Sequence, residues 1–164
     1  LHMGAQIEVH HKVDQAGEPI GDLHVRHSYL HGSTISGDLV VRMIDEFPVF
    51  AIAAAYASGV SKVCDAQELR YKESDRISTL IQQLNLFGVQ TRESMDGFTI
   101  FGNSELRGGT VDSQGDHRLA MSMAVAGLSS QTPMQIHQAE IISESFPHFS
   151  DLFYSLGAEM EWQA

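Results

Sequence analysis

The feature that most constrains how this chain can fold is an internal repeat of 71 residues. Asp45 recurs as Asp116, and the pair Glu73-Ser74 recurs as Glu144-Ser145, in each case 71 positions later. Such a repeat predicts that one supersecondary unit is built twice and that the copies bury their apolar faces against each other. With 164 residues, 43% of them hydrophobic, the chain can form a core of this kind.

Each copy starts with a helix that is predicted to be buried. Asp45 precedes the apolar run 47–57, and Asp116 precedes the apolar run 119–128. Both runs are apolar nearly all round, which is typical of a helix inside a protein rather than on its surface. The strands predicted after these helices are 60–65 and 134–138.

A second, amphipathic helix is predicted further along each copy. Apolar residues recur at i, i+3, i+4 and i+7 in 77–87, and residues 146–156 follow much the same spacing. Each helix runs into a glycine, Gly88 or Gly157, which suits the left-handed conformation at a helix C-terminus. The strands predicted after these glycines are 89–92 and 158–162.

The repeated unit therefore reads strand, buried helix, strand, amphipathic helix and two strands, which predicts an α/β (α+β) fold of βαβαββ units. Residues 1–9 match the end of both copies, so we expect the chain to begin in the last helical turn of a third copy and to be a fragment of a longer protein. We divide it into a truncated unit 1–40, a unit 41–111 and a final unit 112–164. The connections predicted to be rich in hairpins are 20–35 and 96–111.

Charge and cysteine content exclude several classes of protein. A net charge of −11 argues against a general nucleic-acid binder and against a protein of anionic membrane surfaces. The chain has a single cysteine, Cys64, which is inconsistent with a disulfide framework and fits a reducing cytoplasmic compartment. Cys64 itself is predicted to be a small buried apolar residue. The longest apolar stretch, 47–57, is too short to span a bilayer.

Three charged groups are predicted at the N-terminal ends of helices: Asp45, the run 72–76 and the run 115–118. Helix N-termini present unpaired N–H groups and the positive end of a dipole, so they hold anions such as phosphate or carboxylate. These three groups are the candidate functional residues of the chain.

Within the run 72–76, Lys72 and Arg76 are four residues apart, which predicts two cations on one face of a first helical turn. Two cations at the positive end of a helix dipole need an anion to offset them. That anion is either a ligand or the neighbouring carboxylates Glu73 and Asp75 in a solvated ion-pair cluster.

The other candidates also have structural explanations. Asp45 and Asp116 are both competent N-caps. Arg118 is harder to explain in this way, because a guanidinium just before a buried run calls for a carboxylate or phosphate partner. Three histidines lie in strand-and-turn sequence without a Cys or carboxylate at ligand spacing, which favours no metal site: His24, His27 and His31.

Four segments of the chain together closely resemble the C-terminal part of the 5-enolpyruvylshikimate-3-phosphate synthase (3-phosphoshikimate 1-carboxyvinyltransferase) family. They are Arg42–Pro48, Ala66–Ile77, Gly115–Arg118 and Ser145–Pro147. The pairing of Lys-Glu-Ser-Asp-Arg with Gly-Asp-His-Arg is specific, since the related UDP-N-acetylglucosamine enolpyruvyl transferases share the fold but lack it. The resemblance implies an inside-out α/β barrel domain with helices inside and sheets outside. This chain is expected to form most of that domain.

The resemblance also implies an activity, the transfer of the enolpyruvyl group from phosphoenolpyruvate to the 5-hydroxyl of shikimate 3-phosphate with release of phosphate. Asp45 is expected to take the hydroxyl proton, and Glu73 to protonate the methylene carbon of phosphoenolpyruvate. The expected substrate-binding residues are Lys72 for shikimate 3-phosphate, and Arg76, Arg118 and the adjacent His117 for phosphoenolpyruvate. No metal or organic cofactor is implied, and the implied partners are the two substrates and an N-terminal domain of the same protein.

One position departs from the family pattern. Many members carry a lysine just before the Ser/Thr-Phe-Pro motif, but here that position is Glu144, which we leave out of the site. Two alternatives stay open: a non-catalytic α/β repeat module that binds an anionic ligand, and another enolpyruvyl transferase such as the UDP-N-acetylglucosamine one.

Overall fold

In the computed structural model, which describes residues 1–163, short helices and strands alternate along the chain. The helices are α1 (Asp38–Arg42), α2 (Phe47–Tyr56), α3 (Arg76–Leu86), α4 (His117–Gly127) and α5 (Phe149–Ser155). The strands are β1 (Gln6–Gln15), β2 (Glu18–Arg26), β3 (Thr34–Ile35), β4 (Val60–Val63), β5 (Gln90–Ser94), β6 (Gly97–Phe101), β7 (Gly109–Asp112) and β8 (Met134–His137). The 3₁₀ helices Gln67–Tyr71 and Ala139–Glu144 precede α3 and α5.

Helices α2 and α4 pack against each other in the core, which confirms that the two apolar runs form buried helices. Seven of the ten residues of α2 are buried. The amphipathic helix α3 lays Ile77, Leu80 and Leu84 on the same core. It ends one residue before the predicted limit, and a hairpin at the start of the predicted connection 96–111 joins β5 to β6.

Strands β3, β4, β6 and β5 form one sheet in that order, with β3 parallel to β4 and β6 antiparallel to both of its neighbours. With α2 and α3 this sheet completes the predicted βαβαββ unit, and the parallel pair β7 and β8 flanks α4 in the final copy. The two copies are led by β3 and β7, which are only two and four residues long, and the division of the chain at 41 and 112 stays a prediction.

The prediction that residues 20–35 are a hairpin-rich connection is wrong for 20–26, which belong to β2. This strand pairs with β1 in a long hairpin that turns at Ala16 and Gly17. Both strands are exposed along nearly their whole length, and the register shifts between His10 and Val13. The shift interrupts the alternation of apolar and polar residues by which a strand is identified from sequence.

Two predictions in the final copy also differ from the structure. Helix α5 begins at Phe149 rather than at 146, after Pro147, which has no N–H group for a helical hydrogen bond. Within residues 1–163 the predicted strand 158–162 does not form, since its backbone makes no ladder hydrogen bonds with another strand, although the side chain of Gln163 lies 3.4 Å from that of Gln135 in β8.

The glycines predicted to end the amphipathic helices have the left-handed backbone expected of them, with φ of +85° at Gly88 and +93° at Gly157. Gly4 has φ of +86°, and its N–H donates to the carbonyl of Leu1 at 2.8 Å. The same bond joins Gly88 to Asn85 at 3.0 Å. The similarity between residues 1–9 and the ends of the copies therefore extends to the backbone.

Cys64 follows β4 and is half-buried rather than fully buried as predicted. Its backbone N–H donates to the carbonyl of Ile35, so the residue continues the pairing of β4 with β3. Across residues 1–163, every helix is too short or too polar to cross a lipid bilayer.

Candidate active site

The three charged groups predicted at helix starts lie together in the fold. Asp45 lies just before α2, Arg76 is the first residue of α3 and Arg118 is the second residue of α4. The carboxylate of Asp45 contacts both arginines, with Oδ1 at 3.2 Å from Nη1 of Arg76 and Oδ2 at 3.1 Å from Nη2 of Arg118. The starts of three helices therefore meet at one charged cluster.

Arg76 is the buried centre of this cluster, and its side chain is only 1% exposed. Its Nε donates to Asp116 at 2.7 Å and its Nη2 to Glu73 at 2.7 Å, while Nη1 donates to Asp45. Burial by itself lowers the pKa of the guanidinium, but the hydrogen bond and charge of Asp116, with those of Asp45 and Glu73, raise it above its ordinary value. Arg76 is therefore a fixed cation that holds three carboxylates around it.

Asp116 is the fully buried partner of Arg76, and it performs two structural roles at once. Its Oδ1 accepts the backbone N–H groups of Arg118 and Leu119, which confirms the predicted N-cap of α4. Its Oδ2 accepts from Arg76 and from the hydroxyl of Ser74. Asp116 was not among the predicted site residues, because capping explained it about as well as a functional role. Its place in the run 115–118, close to Arg118, could have indicated that it belongs to the site.

The prediction that Lys72 lies on the first turn of α3 is wrong. Asp75 is the N-cap of α3, since its side chain accepts the N–H of Ser78, and the helix begins only at Arg76. Lys72 lies in extended backbone after the first 3₁₀ helix. It is half-buried, and within residues 1–163 it makes no hydrogen bond or ion pair.

Of the two neighbouring carboxylates, one pairs as the ion-cluster alternative predicts and the other does not. Glu73 does pair with Arg76, but Asp75 pairs with Arg70 at 2.8 Å. Burial acts to raise the pKa of the Asp75 carboxyl, but the N–H of Ser78 and the charge of Arg70 lower it below its ordinary range. Within the described residues neither carboxylate pairs with Lys72, so this cation is available to a ligand.

The N-cap explanation of Asp45 is wrong as well. The N-cap position of α2 is Glu46, without a side-chain hydrogen bond to the helix, and Pro48 lies in the first turn. The Asp45 carboxylate contacts the arginines instead. His117 is the first residue of α4 and is half-buried next to Arg118, as its place in the sequence implied.

Two hollows open beside the cluster. One of about 180 Å³ is lined by Asp45, Glu46, Val49, Arg118, Met121, Ser122 and Val125. The other, of about 340 Å³, is lined by Gly115, Gln138, Glu140, Ile141, Ser143 and Glu144. Two carboxylates line the second hollow without a cation, so the first, where Arg118 is 34% exposed, is the better place for an anion.

The histidines considered as metal ligands lie apart from the cluster and make separate contacts. The ring of His24 lies against that of His10 at 4.5 Å, and the ring of His27 is edge-on to Tyr29 at 5.3 Å. His31 contacts the carbonyl of Gly32. Residues 1–163 contain no group of three His, Cys, Asp or Glu side chains placed to hold a metal ion.

Comparison with known proteins connects this geometry to one family. The family model for EPSP synthase (3-phosphoshikimate 1-carboxyvinyltransferase) matches residues 1–153. The chain is 47% identical over 150 residues to a 3-phosphoshikimate 1-carboxyvinyltransferase of Desulforamulus reducens, and 49% identical over 147 residues to one of Roseiflexus castenholzii. These matches cover 92% and 90% of the chain but 35% and 34% of the relatives, so the chain spans about a third of their length.

Solved structures agree with the sequence matches. An EPSP synthase of Acinetobacter baumannii superposes with a TM-score of 0.92 at 36% identity, over 99% of this chain and 38% of that one. The enolpyruvyl transferase NikO of Streptomyces tendae superposes with a TM-score of 0.71 at 18% identity, which supports the fold alone. The predicted α/β fold of the enolpyruvyl transferases is therefore confirmed.

Proposed function

Because this chain belongs to the EPSP synthase (3-phosphoshikimate 1-carboxyvinyltransferase) family, we propose that it forms one wall of an active site that transfers the enolpyruvyl group. The substrates are phosphoenolpyruvate and shikimate 3-phosphate, and inorganic phosphate is released. The observation that carries the proposal is the cluster itself, in which Asp45 and Glu73 contact the two terminal nitrogens of one buried guanidinium, that of Arg76. The other wall belongs to a separate N-terminal domain of the same protein.

In the proposed reaction the two carboxylates move protons in opposite directions. Glu73 gives a proton to the methylene carbon of phosphoenolpyruvate. Asp45 takes the proton of the 5-hydroxyl of shikimate 3-phosphate, while the oxygen of that hydroxyl bonds to the phosphoenolpyruvate carbon next to the methylene group. The tetrahedral intermediate then loses phosphate, and loss of a proton from the methyl group restores the double bond. One carboxylate must start ionised and the other protonated, which requires different surroundings for the two.

The cations divide into two kinds by accessibility. Lys72 and the partly exposed Arg118 can receive a substrate anion directly. Arg76 is 1% exposed, so an anion reaches it only by replacing Asp45 or Glu73 on its terminal nitrogens. We therefore propose that phosphoenolpyruvate binds first at Arg118, with His117 beside it, and that contact with Arg76 releases a carboxylate for proton transfer.

The charge balance of the cluster supports Glu73 as a proton donor. Arg76 and Arg118 pair with three carboxylates, those of Asp45, Glu73 and Asp116, and Lys72 next to Glu73 in the chain adds a third positive charge. An arriving substrate that carries phosphate and carboxylate groups makes the cluster negative, and added negative charge favours protonation of a nearby carboxylate. Glu73 is 47% exposed, so its carboxylate is accessible to an arriving substrate.

The proposal assigns this protein to the cytoplasm and to the synthesis of aromatic amino acids through the shikimate pathway. A single half-buried cysteine suits a reducing compartment. With a net charge of −11, neither nucleic acid nor an anionic membrane surface is a favoured partner. We assign no role to a metal or an organic cofactor.

The test is a chimera in which residues 1–153 replace the matching third of the Desulforamulus reducens relative, referred to below as the chimera. We expect the purified chimera to release phosphate from phosphoenolpyruvate only when shikimate 3-phosphate is present. The unaltered relative is the positive control. A folded chimera that binds phosphate but releases none from the two substrates would favour a non-catalytic anion-binding module instead.

The chain of 164 residues by itself should fold and bind anions weakly, without turnover. Its cluster is open to water, and preorganised charge stabilises a transition state only where water is excluded. Calorimetry with inorganic phosphate should show weak binding that disappears at high salt, because the interaction is electrostatic. Phosphate release by the isolated chain, abolished in Asp45→Asn, would contradict the need for a second wall.

Replacing Arg118 by Lys in the chimera should raise the KM for phosphoenolpyruvate with little change in melting temperature. Lys keeps the charge but loses the planar fork that contacts Asp45 and can receive a carboxylate or phosphate in two-point geometry. Arg107→Lys, a cation of the segment before β7, is the matched control. An unchanged KM together with a large loss of melting temperature would assign Arg118 to structure.

A further inference from the structure

Arg70 has no part in the roles proposed above, although it lies in one of the four family-like segments. Its side chain makes five hydrogen bonds, which engage all five N–H groups of the guanidinium. The acceptors lie on two separate elements, the start of α3 and the hairpin between β5 and β6. They are Asp75, Ser78, Glu93, Ser94 and Met95.

The contacts with charged partners are short. Nη1 of Arg70 donates to Oδ2 of Asp75 at 2.8 Å, and Nη2 donates to Oε1 of Glu93 at 2.8 Å. The hydrogen bond to Glu93 outweighs the effect of burial and, with Asp75, raises the pKa of the guanidinium above its ordinary value. Ser78 adds a link between the same two carboxylates, since its hydroxyl lies 2.8 Å from Glu93 and 3.3 Å from Asp75.

Arg70 and Asp75 bracket the segment 71–74, which carries Lys72 and Glu73. The ion pair between them ties the two ends of this segment together, and the bonds to the hairpin tie the same ends to the sheet. Within this segment, Oε2 of Glu73 accepts a hydrogen bond from Nη2 of Arg76 at 2.7 Å. Within residues 1–163 Arg70 makes no hydrogen bond or ion pair with the central cluster itself.

We propose that Arg70 is a positioning residue for the enolpyruvyl transfer, because it fixes the segment 71–74 so that Glu73 keeps its contact with Arg76 and the backbone that carries Lys72 is held in place. The consequence for catalysis rests on the proposed function, whereas the ordering of the segment does not. A lysine cannot replace Arg70, since an ammonium is a point charge with three donors and cannot span five acceptors on two elements.

The first arm of the test measures backbone order in the isolated chain by ¹⁵N relaxation. In Arg70→Lys the order parameters of residues 71–75 should fall from about 0.85, the value of a rigid backbone, to below about 0.6, while those of α4 stay unchanged. Arg92→Lys is the matched control, because Arg92 lies on the same hairpin, over the ring of Phe101, and makes no ion pair within the described residues. It should leave both regions rigid.

The second arm measures turnover of the chimera. Arg70→Lys should lower kcat by roughly 10–100-fold, because displacement of a reacting group by about 1 Å costs on this scale. Glu93→Gln removes one anchor and leaves the N-cap of α3 intact, so it should act in the same direction with a smaller effect. Arg92→Lys should leave kcat unchanged.

The two arms separate the possible failures. If Arg70→Lys lowers only the melting temperature, with kcat and the order parameters of 71–75 equal to those of the control, Arg70 is a structural residue and the proposal is overturned. An inactive chimera overturns the proposed function, and the relaxation arm then still decides whether Arg70 orders the segment.

Discussion

Asp45→Asn and Glu73→Gln should each lower the turnover of the chimera by about 10²–10⁴-fold, the contribution typical of a general acid or base. Both substitutions keep the shape of the side chain but remove its ability to exchange a proton. Each variant keeps an oxygen that can accept from Arg76, so the cluster should persist and the KM values should change little. Steady-state kinetics with both substrates, together with a melting curve, measure the effect.

Matched controls for these two carboxylates come from exposed residues of the same unit. Asp38→Asn in α1 and Glu68→Gln in the first 3₁₀ helix change the same functional groups away from the cluster. Both should leave turnover as it is in the unaltered chimera. If Asp45→Asn or Glu73→Gln behaved like its control, the role in proton transfer assigned to that carboxylate would be wrong.

The largest expected effect on stability belongs to Asp116→Ala, which should lower the free energy of unfolding by about 3–5 kcal/mol. Asp116 is 0% exposed and Arg76 is 1% exposed, so the substitution leaves a buried guanidinium without its fully buried partner. It also removes the N-cap of α4, a contribution of about 1 kcal/mol. Urea unfolding of the isolated chain measures the loss.

Two further variants separate the cap from the buried pair. Asp116→Asn keeps an oxygen for the N–H groups of Arg118 and Leu119 but removes the charge, so it should cost less than Asp116→Ala. Arg76→Met in the Asp116→Ala background removes the unpaired cation and should recover part of the lost stability, because a buried pair is often replaceable by apolar residues. A loss from Asp116→Ala no larger than that of a simple cap would show that the pair with Arg76 contributes nothing.

The repeat and the helix types were predictable because they follow from local physics. A run such as 47–57, apolar on every side, is stable only inside the protein, and a left-handed C-terminus such as that at Gly88 selects glycine. The long hairpin β1–β2 was missed because its strands bury little and its register shifts, so no periodic signal remains. The strand predicted at 158–162 fails because a strand forms only where backbone hydrogen bonds to a second strand are made, and sequence period alone does not provide them.

At the candidate site, the sequence by itself determined that Asp45, Arg76 and Arg118 lie at or next to helix starts, since the extent of each apolar run is a local property. Only the tertiary structure decided how these charges pair: Asp45 with two arginines rather than as a cap, and Asp116 with Arg76. The cause is the range of the interactions. A cap acts within three residues, whereas Arg76 meets partners 31 and 40 positions away, and packing of α2, α3 and α4 is what brings them within hydrogen-bonding distance.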